Sequence, residues 1–171
     1  QVQAGTKVRI KGGGGIYNVA IIGATNVSGA TGLILEAANG TIGTDTAKFY
    51  TDLSADGTLT ARASVSVYVV ERNGNMNIES VYSQSGNTYL NTLNGSIVDA
   101  LNNDWVKIQA NSIVLGAAGG GIGEAGDYLE VDAESSAGLL TATATGDIRI
   151  EEKIGDINID RIVSTGGSVD L

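Results

Sequence analysis

The chain has 171 residues, with ten Lys or Arg against nineteen Asp or Glu, a formal charge of −9, and neither cysteine nor histidine. Disulfides, thiolate nucleophiles, the usual zinc ligands and imidazole acid–base chemistry are therefore excluded. Because no basic cluster and no apolar run of membrane-spanning length is present, we expect neither a nucleic-acid partner nor a membrane span. The length predicts a single domain, residues 1–171.

Glycine and proline usage gives the first indication of the fold. Twenty-five glycines accompany no proline at all, whereas ordinary chains contain about 5% proline. Turns must therefore be made by Gly, Asn and Asp. Proline is excluded from central strands, because each residue there needs its N–H for the ladder. The composition is typical of a chain in which almost every strand has a neighbour on both sides.

The first predicted strand is "TKVRI", residues 6–10, and "GGGG", residues 12–15, follows it as a bend between coils. Arg9 and Lys11 lie two apart and therefore on one strand face, a spacing with which a polysaccharide-cleaving enzyme could hold a sugar carboxylate. No acidic pair and no histidine accompany them. We therefore favour an outward-facing pair on an edge coil.

An internal repeat covers most of the chain. Residues 57–81 match residues 138–162, 81 positions later, at nine of 25 positions. "EAANGTIG" at 36–43 matches "GAAGGGIG" at 116–123 with an offset of 80, and "AGTKVRI", "SGNTYL" and "GGSVDL" form a third, partial echo. The chain is thus predicted to contain two repeats, about 1–86 and 87–171, as solenoid proteins do.

Within each repeat, aliphatic residues alternate with polar ones at the period of a half-buried strand. The alternating positions are Val67, Val69, Met76 and Ile78 in the first repeat and Ile148, Ile150, Ile157 and Ile159 in the second. No helical spacing extends over ten positions, so we expect almost no helix. Four Gly-punctuated segments per repeat predict about twenty residues per coil and eight or nine coils, a rod roughly 40 Å long.

The predicted fold is therefore all-β: a single-stranded parallel β-helix. A β-sandwich is the rival fold, since it also uses short alternating strands with frequent turns. It gives no reason for a copy of about eighty residues, however, and the β-helix is favoured on that ground.

Acidic residues are the next candidates for chemistry. Glu151 and Glu152 are adjacent, so their side chains point to opposite faces of a strand and cannot form a catalytic pair there. "GGGIGEAGD", residues 119–127, partly matches the tandem calcium-binding repeat Gly-Gly-x-Gly-x-Asp, but it occurs once, with Asp127 out of place. We interpret Asp99, Asp147, Asp156 and Asp170 as turn caps. No catalytic, cofactor-binding or metal-binding residue is predicted.

Aromatic residues are few and scattered. Apart from Phe49, they are Trp105 and Tyr17, Tyr50, Tyr68, Tyr82, Tyr89 and Tyr128. Together they could form a carbohydrate-stacking surface. Because they occur singly, we predict core or lateral packing for each.

Several strings, "NGSIVDAL", "GGGIGEAGDYLEVDAESSAGLLTATATGDIRI", "GDINIDRI" and "GGSVDL", resemble the repeat regions of very large secreted bacterial proteins of the filamentous-haemagglutinin type. The similarity covers nearly all of the chain and is clearest over residues 95–171. It implies a right-handed parallel β-helix on a bacterial cell surface or in an extracellular fibre, used in adhesion or matrix building.

The predicted function is a structural or adhesive module, secreted or on the bacterial cell surface, without enzymatic activity or a cofactor. The strand-like ends "TKVRI" and "SVDL" carry no cap. We expect them to pair with adjoining repeats of a longer solenoid or with neighbouring copies in a head-to-tail fibre. Surface glycans are a further candidate partner. The alternatives are a carbohydrate-active β-helix enzyme and a carbohydrate-binding module without turnover.

Overall fold

The computed structural model describes residues 1–19, 23–133 and 137–171. Its strands, in chain order, are β1 Val2–Gln3, β2 Lys7–Gly12, β3 Val27–Ser28, β4 Gly32–Ala37, β5 Phe49–Asp52, β6 Thr58–Ala63, β7 Val67–Glu71, β8 Met76–Ser83, β9 Thr88–Thr92, β10 Ile97–Asp99, β11 Ile108–Ala110, β12 Ile113–Ala117, β13 Leu129–Ala133, β14 Leu140–Ala144, β15 Ile148–Glu152, β16 Ile159–Ser164 and β17 Val169–Asp170. They form a parallel β-solenoid of about seven turns, with about 23 residues per turn. The predicted fold class is thereby confirmed.

Helix plays no part in the described residues, and so none of them forms a helix able to cross a membrane. Two parallel sheets face each other. One runs β1-β3-β5-β7-β9-β12-β14-β16, and the other β2-β4-β6-β8-β11-β13-β15-β17, with the short β10 also paired to β8. Because side chains alternate along each strand, the inward residues of both sheets fill one apolar column between them.

The coils are longer and fewer than the sequence predicts, and their lengths vary. The pairing of Thr58 with Asn77 closes a shorter coil than the pairing of Val81 with Ile108. The difference lies in the connections between strands, whose lengths leave no periodic signal. At about 4.8 Å per coil, seven turns make a rod roughly 34 Å long.

Each internal repeat spans three and a half coils, so that a strand and its copy lie in opposite sheets. β6 belongs to the nine-stranded sheet and its copy β14 to the eight-stranded one, and β8 and β16 are crossed in the same way. Gly43 and Gly123 occupy equivalent corners with φ of +65° and +66°. Their amides donate to the equivalent carbonyls of Ile16 and Ile97 at 2.8 and 2.9 Å. The solenoid therefore has an approximate twofold screw axis along its length.

Both repeats also contain the same β-bulge. β8 skips Glu79 in its pairing with β6, and β16 skips Asp160 in its pairing with β14. The Glu79 carboxylate accepts a hydrogen bond from the Thr60 hydroxyl at 3.3 Å, and Asp160 accepts one from Thr141 at 3.0 Å. Bulges bend a strand locally and redirect its side chains. We therefore assign these two acids a structural role at the bend of the coil.

Burial follows the predicted alternation, with one correction at the last coil. The inward residues Val67, Val69, Met76, Ile78, Ile148 and Ile150 are at most 1% exposed. Ile157 and Ile159, which were expected to face inward like Met76 and Ile78, are 36% and 48% exposed. They lie at the open end of the apolar column, where β16 has a strand neighbour on one side only.

Candidate functional site

The predicted cationic pair lies on the outer face of β2, the edge strand of its sheet. The Arg9 guanidinium contacts the Glu36 carboxylate of the next coil at 2.6 Å. Lys11 lines a shallow cavity of about 210 Å³ together with Glu36 and Arg62. The two cations therefore face outward, as predicted, among surface charges of the kind that contribute little to stability.

Glu151 and Glu152 point to opposite sides of β15, as their adjacency predicts. Glu151 contacts the Lys153 ammonium at 3.0 Å on the outer side. Glu152 turns inward and accepts a hydrogen bond from the Ala133 amide at 3.2 Å. The two carboxylates therefore do not act on a common point.

Glu71 is the counterpart of Glu152 in the first repeat, and it is only 1% exposed. It accepts hydrogen bonds from the Leu53 amide at 3.0 Å and the Thr51 hydroxyl at 2.7 Å. Burial raises the pKa of Glu71 to about 7, although both hydrogen bonds act to lower it. Burial also raises the pKa of Glu152. Each carboxylate accepts a backbone hydrogen bond from the corner of the preceding coil, so we interpret this repeated feature as structural.

Phe49 is buried in the apolar column, whereas the tyrosines and Trp105 lie outside it. Lys48 covers the rings of Tyr68 and Tyr89, with its Nζ 5.4 and 4.5 Å from the two ring centroids. These tyrosines are neighbours in adjacent strands, and their lateral packing is as predicted. Trp105 is 76% exposed, and for this residue the prediction of packing is wrong. It lies in the loop between β10 and β11, outside the strand ladders.

A buried ion cluster surrounds Lys107, directly before β11. Its side chain is 1% exposed, and its ammonium nitrogen lies 3.0 Å from the Asp99 carboxylate and 3.7 Å from that of Glu130. The ammonium donates to the Asn103 carbonyl, the Asn103 side-chain oxygen and the Trp105 carbonyl, each at 2.8 Å. Two carboxylates and one ammonium are thus enclosed, with each side chain at most 3% exposed.

The loop of residues 99–107 is folded around this ammonium. The Asp99 carboxylate accepts hydrogen bonds from the amides of Leu101 at 2.7 Å and Asn103 at 3.0 Å, which confirms its prediction as a turn cap. The Asn103 side chain accepts one from the Trp105 amide at 3.1 Å. Asn102 has a φ of +47°, a conformation that asparagine tolerates better than most residues. The loop is therefore held by its own polar groups, with Trp105 facing solvent.

The first repeat shows that the fold does not require charges here. Asn18 and Asn26 occupy the positions of the first repeat that correspond to Asp99 and Lys107 in the second. The Asn26 side-chain amide donates to the Asn18 side-chain oxygen at 3.1 Å, so a neutral hydrogen bond replaces the ion pair. Burying a charge carries a desolvation penalty of several kcal/mol per ion before pairing. The second repeat thus holds a costly charged site at a position where a neutral pair also fits.

An open cavity of about 260 Å³ lies against the ion cluster. Its lining includes Asp104, Asp127, Tyr128, Glu130 and Glu151. The Glu130 Oε2 atom is buried and accepts no hydrogen bond from any described group. Burial raises the pKa of both Glu130 and Asp127, and the nearby carboxylates of Asp99 and Glu124 raise that of Asp127 further. The cavity is therefore acidic, and one of its lining residues has a buried carboxylate oxygen without a hydrogen-bond donor among the described residues.

Sequence reasoning found part of this site and missed its centre. The stretch 119–127 ends in a turn closed by Glu124 and Asp127, and it contributes Asp127 to the cavity. No three His, Cys, Asp or Glu side chains among the described residues are arranged to hold a metal ion. Lys107 and Glu130 were not recognised. The signal that identifies Lys107 is the paired change from Asn18–Asn26 to Asp99–Lys107 between the two repeats.

Fold and repeat together define the class of the protein: a parallel β-solenoid built from two copies that occupy opposite sheets. Comparison of the chain with protein-family models, with curated proteins and with solved structures gave no match.

Proposed function

We propose that the protein is a structural and adhesive module of a bacterial extracellular or cell-surface protein, which works through length, rigidity and multivalency and not through catalysis. The parallel ladders on both sides of one apolar column support this function. Each inner coil is hydrogen-bonded to two neighbours, as in other rod-like repeat proteins. Arg9 is engaged with Glu36, and Glu151 and Glu152 diverge, so these charges do not converge on a catalytic centre.

The observation that carries the proposal is the pair of open ladder edges. Within the described part of the chain, β16 and β17 each have a strand neighbour on one side only, as do β1 and β2. Val169 and Leu171 are each 46% exposed at one end, and Val2 is 42% exposed at the other. Unpaired strand edges are templates for pairing with another chain. Adjoining repeats of a longer solenoid, or neighbouring copies stacked head to tail, fit these edges.

Negative-stain electron microscopy across a concentration series, with sedimentation velocity on the same samples, tests the assembly. We expect rods that lengthen with concentration in steps of roughly 34 Å. Val169→Lys places a charge on the open edge, and this variant should remain short. Leu139→Lys is the matched control, because Leu139 is 43% exposed and precedes β14, an inner strand. Rods of a single length at every concentration overturn the head-to-tail assembly.

The absence of catalysis needs a separate measurement. The chain should release no soluble product from a panel of acidic and neutral polysaccharides, each assayed by reducing ends and by absorbance of unsaturated sugars. Turnover of any of them would overturn the non-catalytic part of the proposal and favour the carbohydrate-active enzyme.

A second candidate function is carbohydrate binding without turnover. The exposed Trp105 favours it, because an aromatic ring held outward on a hydrogen-bonded loop offers an apolar face beside polar groups. A glycan array with the unmodified chain and Trp105→Ala separates the two functions. Glycan binding that disappears in Trp105→Ala supports the binding module, whereas binding that persists excludes Trp105 as its platform.

A further inference from the structure

We propose that the acidic cavity beside Lys107, bounded by Asp104, Asp127, Glu130 and Glu151, binds a primary ammonium group on a small organic ligand, either an alkylamine or an amino sugar. The cavity lies beside the loop of residues 99–107, and its lining residue Tyr128 donates a hydrogen bond to Asp170 of the edge strand β17.

The strongest evidence is the unsatisfied oxygen of Glu130. This side chain is 3% exposed, and its Oε2 atom accepts no hydrogen bond from the described residues. Lys107 is the nearest cation at 3.7 Å, but its three N–H donors are used by the Asn103 carbonyl, the Asn103 side-chain oxygen and the Trp105 carbonyl. An unpaired buried acceptor costs about 1–3 kcal/mol. A donor that reaches this atom from the cavity would remove that cost.

The charges around the cavity favour a cationic donor. Its carboxylates are Asp104, Asp127, Glu130 and Glu151, with Asp99 buried next to them and Glu124 close to Asp127. The cations that face them are Lys107, which is already enclosed, and Lys153, which contacts Glu151 at 3.0 Å. Negative groups thus outnumber positive ones, so a further cation gains attraction from several sides at once.

An ammonium group fits better than a bare metal ion. The carboxylates do not gather three around one point anywhere in the described chain, whereas a calcium ion needs six to eight oxygen ligands. The space of about 260 Å³ accommodates a ligand with a carbon stem as well as its charged end. The chain also demonstrates the chemistry, since the same loop binds the Lys107 ammonium through two carbonyls, an amide oxygen and a carboxylate.

The test is a titration of the whole ¹⁵N-labelled chain followed by NMR. Two matched pairs of probes are used: 1,5-diaminopentane against pentane-1,5-diol, and glucosamine against N-acetylglucosamine. We expect the charged member of at least one pair to shift the amide resonances of residues 102–104 and 126–130, and the uncharged members to leave them in place. The pair that responds distinguishes an alkylamine from an amino sugar.

Variants test the residues. Glu130→Gln and Asp127→Asn should each weaken amine binding about tenfold, the effect of losing one charge-assisted hydrogen bond worth about 1.4 kcal/mol. Asp56→Asn removes the same charge from an exposed turn elsewhere and should leave binding unchanged. Asp127 lies in a surface turn, so its variant remains informative if Glu130→Gln does not fold. Equal weakening by all three variants, no response to either amine, or a response to calcium chloride alone overturns the proposal.

Discussion

Replacing Lys107 by methionine tests whether the buried ion cluster holds its loop to the solenoid. Methionine keeps a flexible unbranched stem but removes the charge and the donors to Asn103 and Trp105. Asp99, whose side chain is 0% exposed, and Glu130, at 3%, then stay buried without their cation. Removing one partner of a buried ion pair costs about 3–5 kcal/mol. For a chain of this length, that corresponds to a fall in Tm of roughly 6–20 °C.

Thermal and urea unfolding followed by circular dichroism measures the effect. Lys7→Met on the exposed face of β2 is the control for loss of a lysine and should change the free energy of unfolding by less than about 0.5 kcal/mol. The double variant Asp99→Asn/Lys107→Asn restores the neutral pair of the first repeat. It should be more stable than Lys107→Met, because one fewer carboxylate is left unpaired. If Lys107→Met is as stable as Lys7→Met, the cluster does not hold the loop and the reasoning fails.

Two further predictions concern features of the coil corners. The pKa of Glu71 is raised from 4.5 to about 7 in the folded chain, so its contribution to stability is complete below pH about 4.5 and is lost as the pH rises through about 7, by about 3 kcal/mol. Glu71→Gln should flatten this part of the stability profile in urea unfolding at a series of pH values, and an unchanged profile contradicts the assignment. Gly123→Ala would drive a Cβ atom into the Arg149 carbonyl at a φ of +66°, whereas the Cβ of Gly126→Ala meets no atom within 4 Å at a φ of +82°. Thermal unfolding should therefore show a loss for Gly123→Ala roughly 1–3 kcal/mol larger than for Gly126→Ala, and equal losses would show that the corner can relax.

The parts of the fold that the sequence predicts are those determined by local alternation. Val67 and Val69, like Ile148 and Ile150, are two apart and buried in the apolar column, and the internal copy indicates a solenoid. The coil number was wrong because the repeat was assumed to contain a whole number of coils. Both sheets impose the same in–out alternation, so a strand sequence fits either one. The repeat therefore closes after three and a half coils.

The site is less predictable for a related reason. Alternation distinguishes inward from outward positions, but it does not show which outward positions another segment covers. Within its own repeat Lys107 is indistinguishable from a surface lysine, because its partner Glu130 lies on β13, in the next coil. Asp99 was recognised because its contacts with Leu101 and Asn103 are local. Comparison of the two repeats indicates the rest of the site, because the neutral pair Asn18–Asn26 of the first repeat corresponds to the charged pair Asp99–Lys107 of the second.

The half-coil step has a consequence for how such a chain evolves after duplication. Two copies of one ancestral surface end up about 17 Å apart along the axis and on opposite sides of the rod. A flat partner surface lying along one side of the rod would meet only one of them, so the two copies can diverge independently. The asparagine pair at residues 18 and 26 and the ion cluster at residues 99 and 107 differ in this way, since the first corner is neutral and the second is charged.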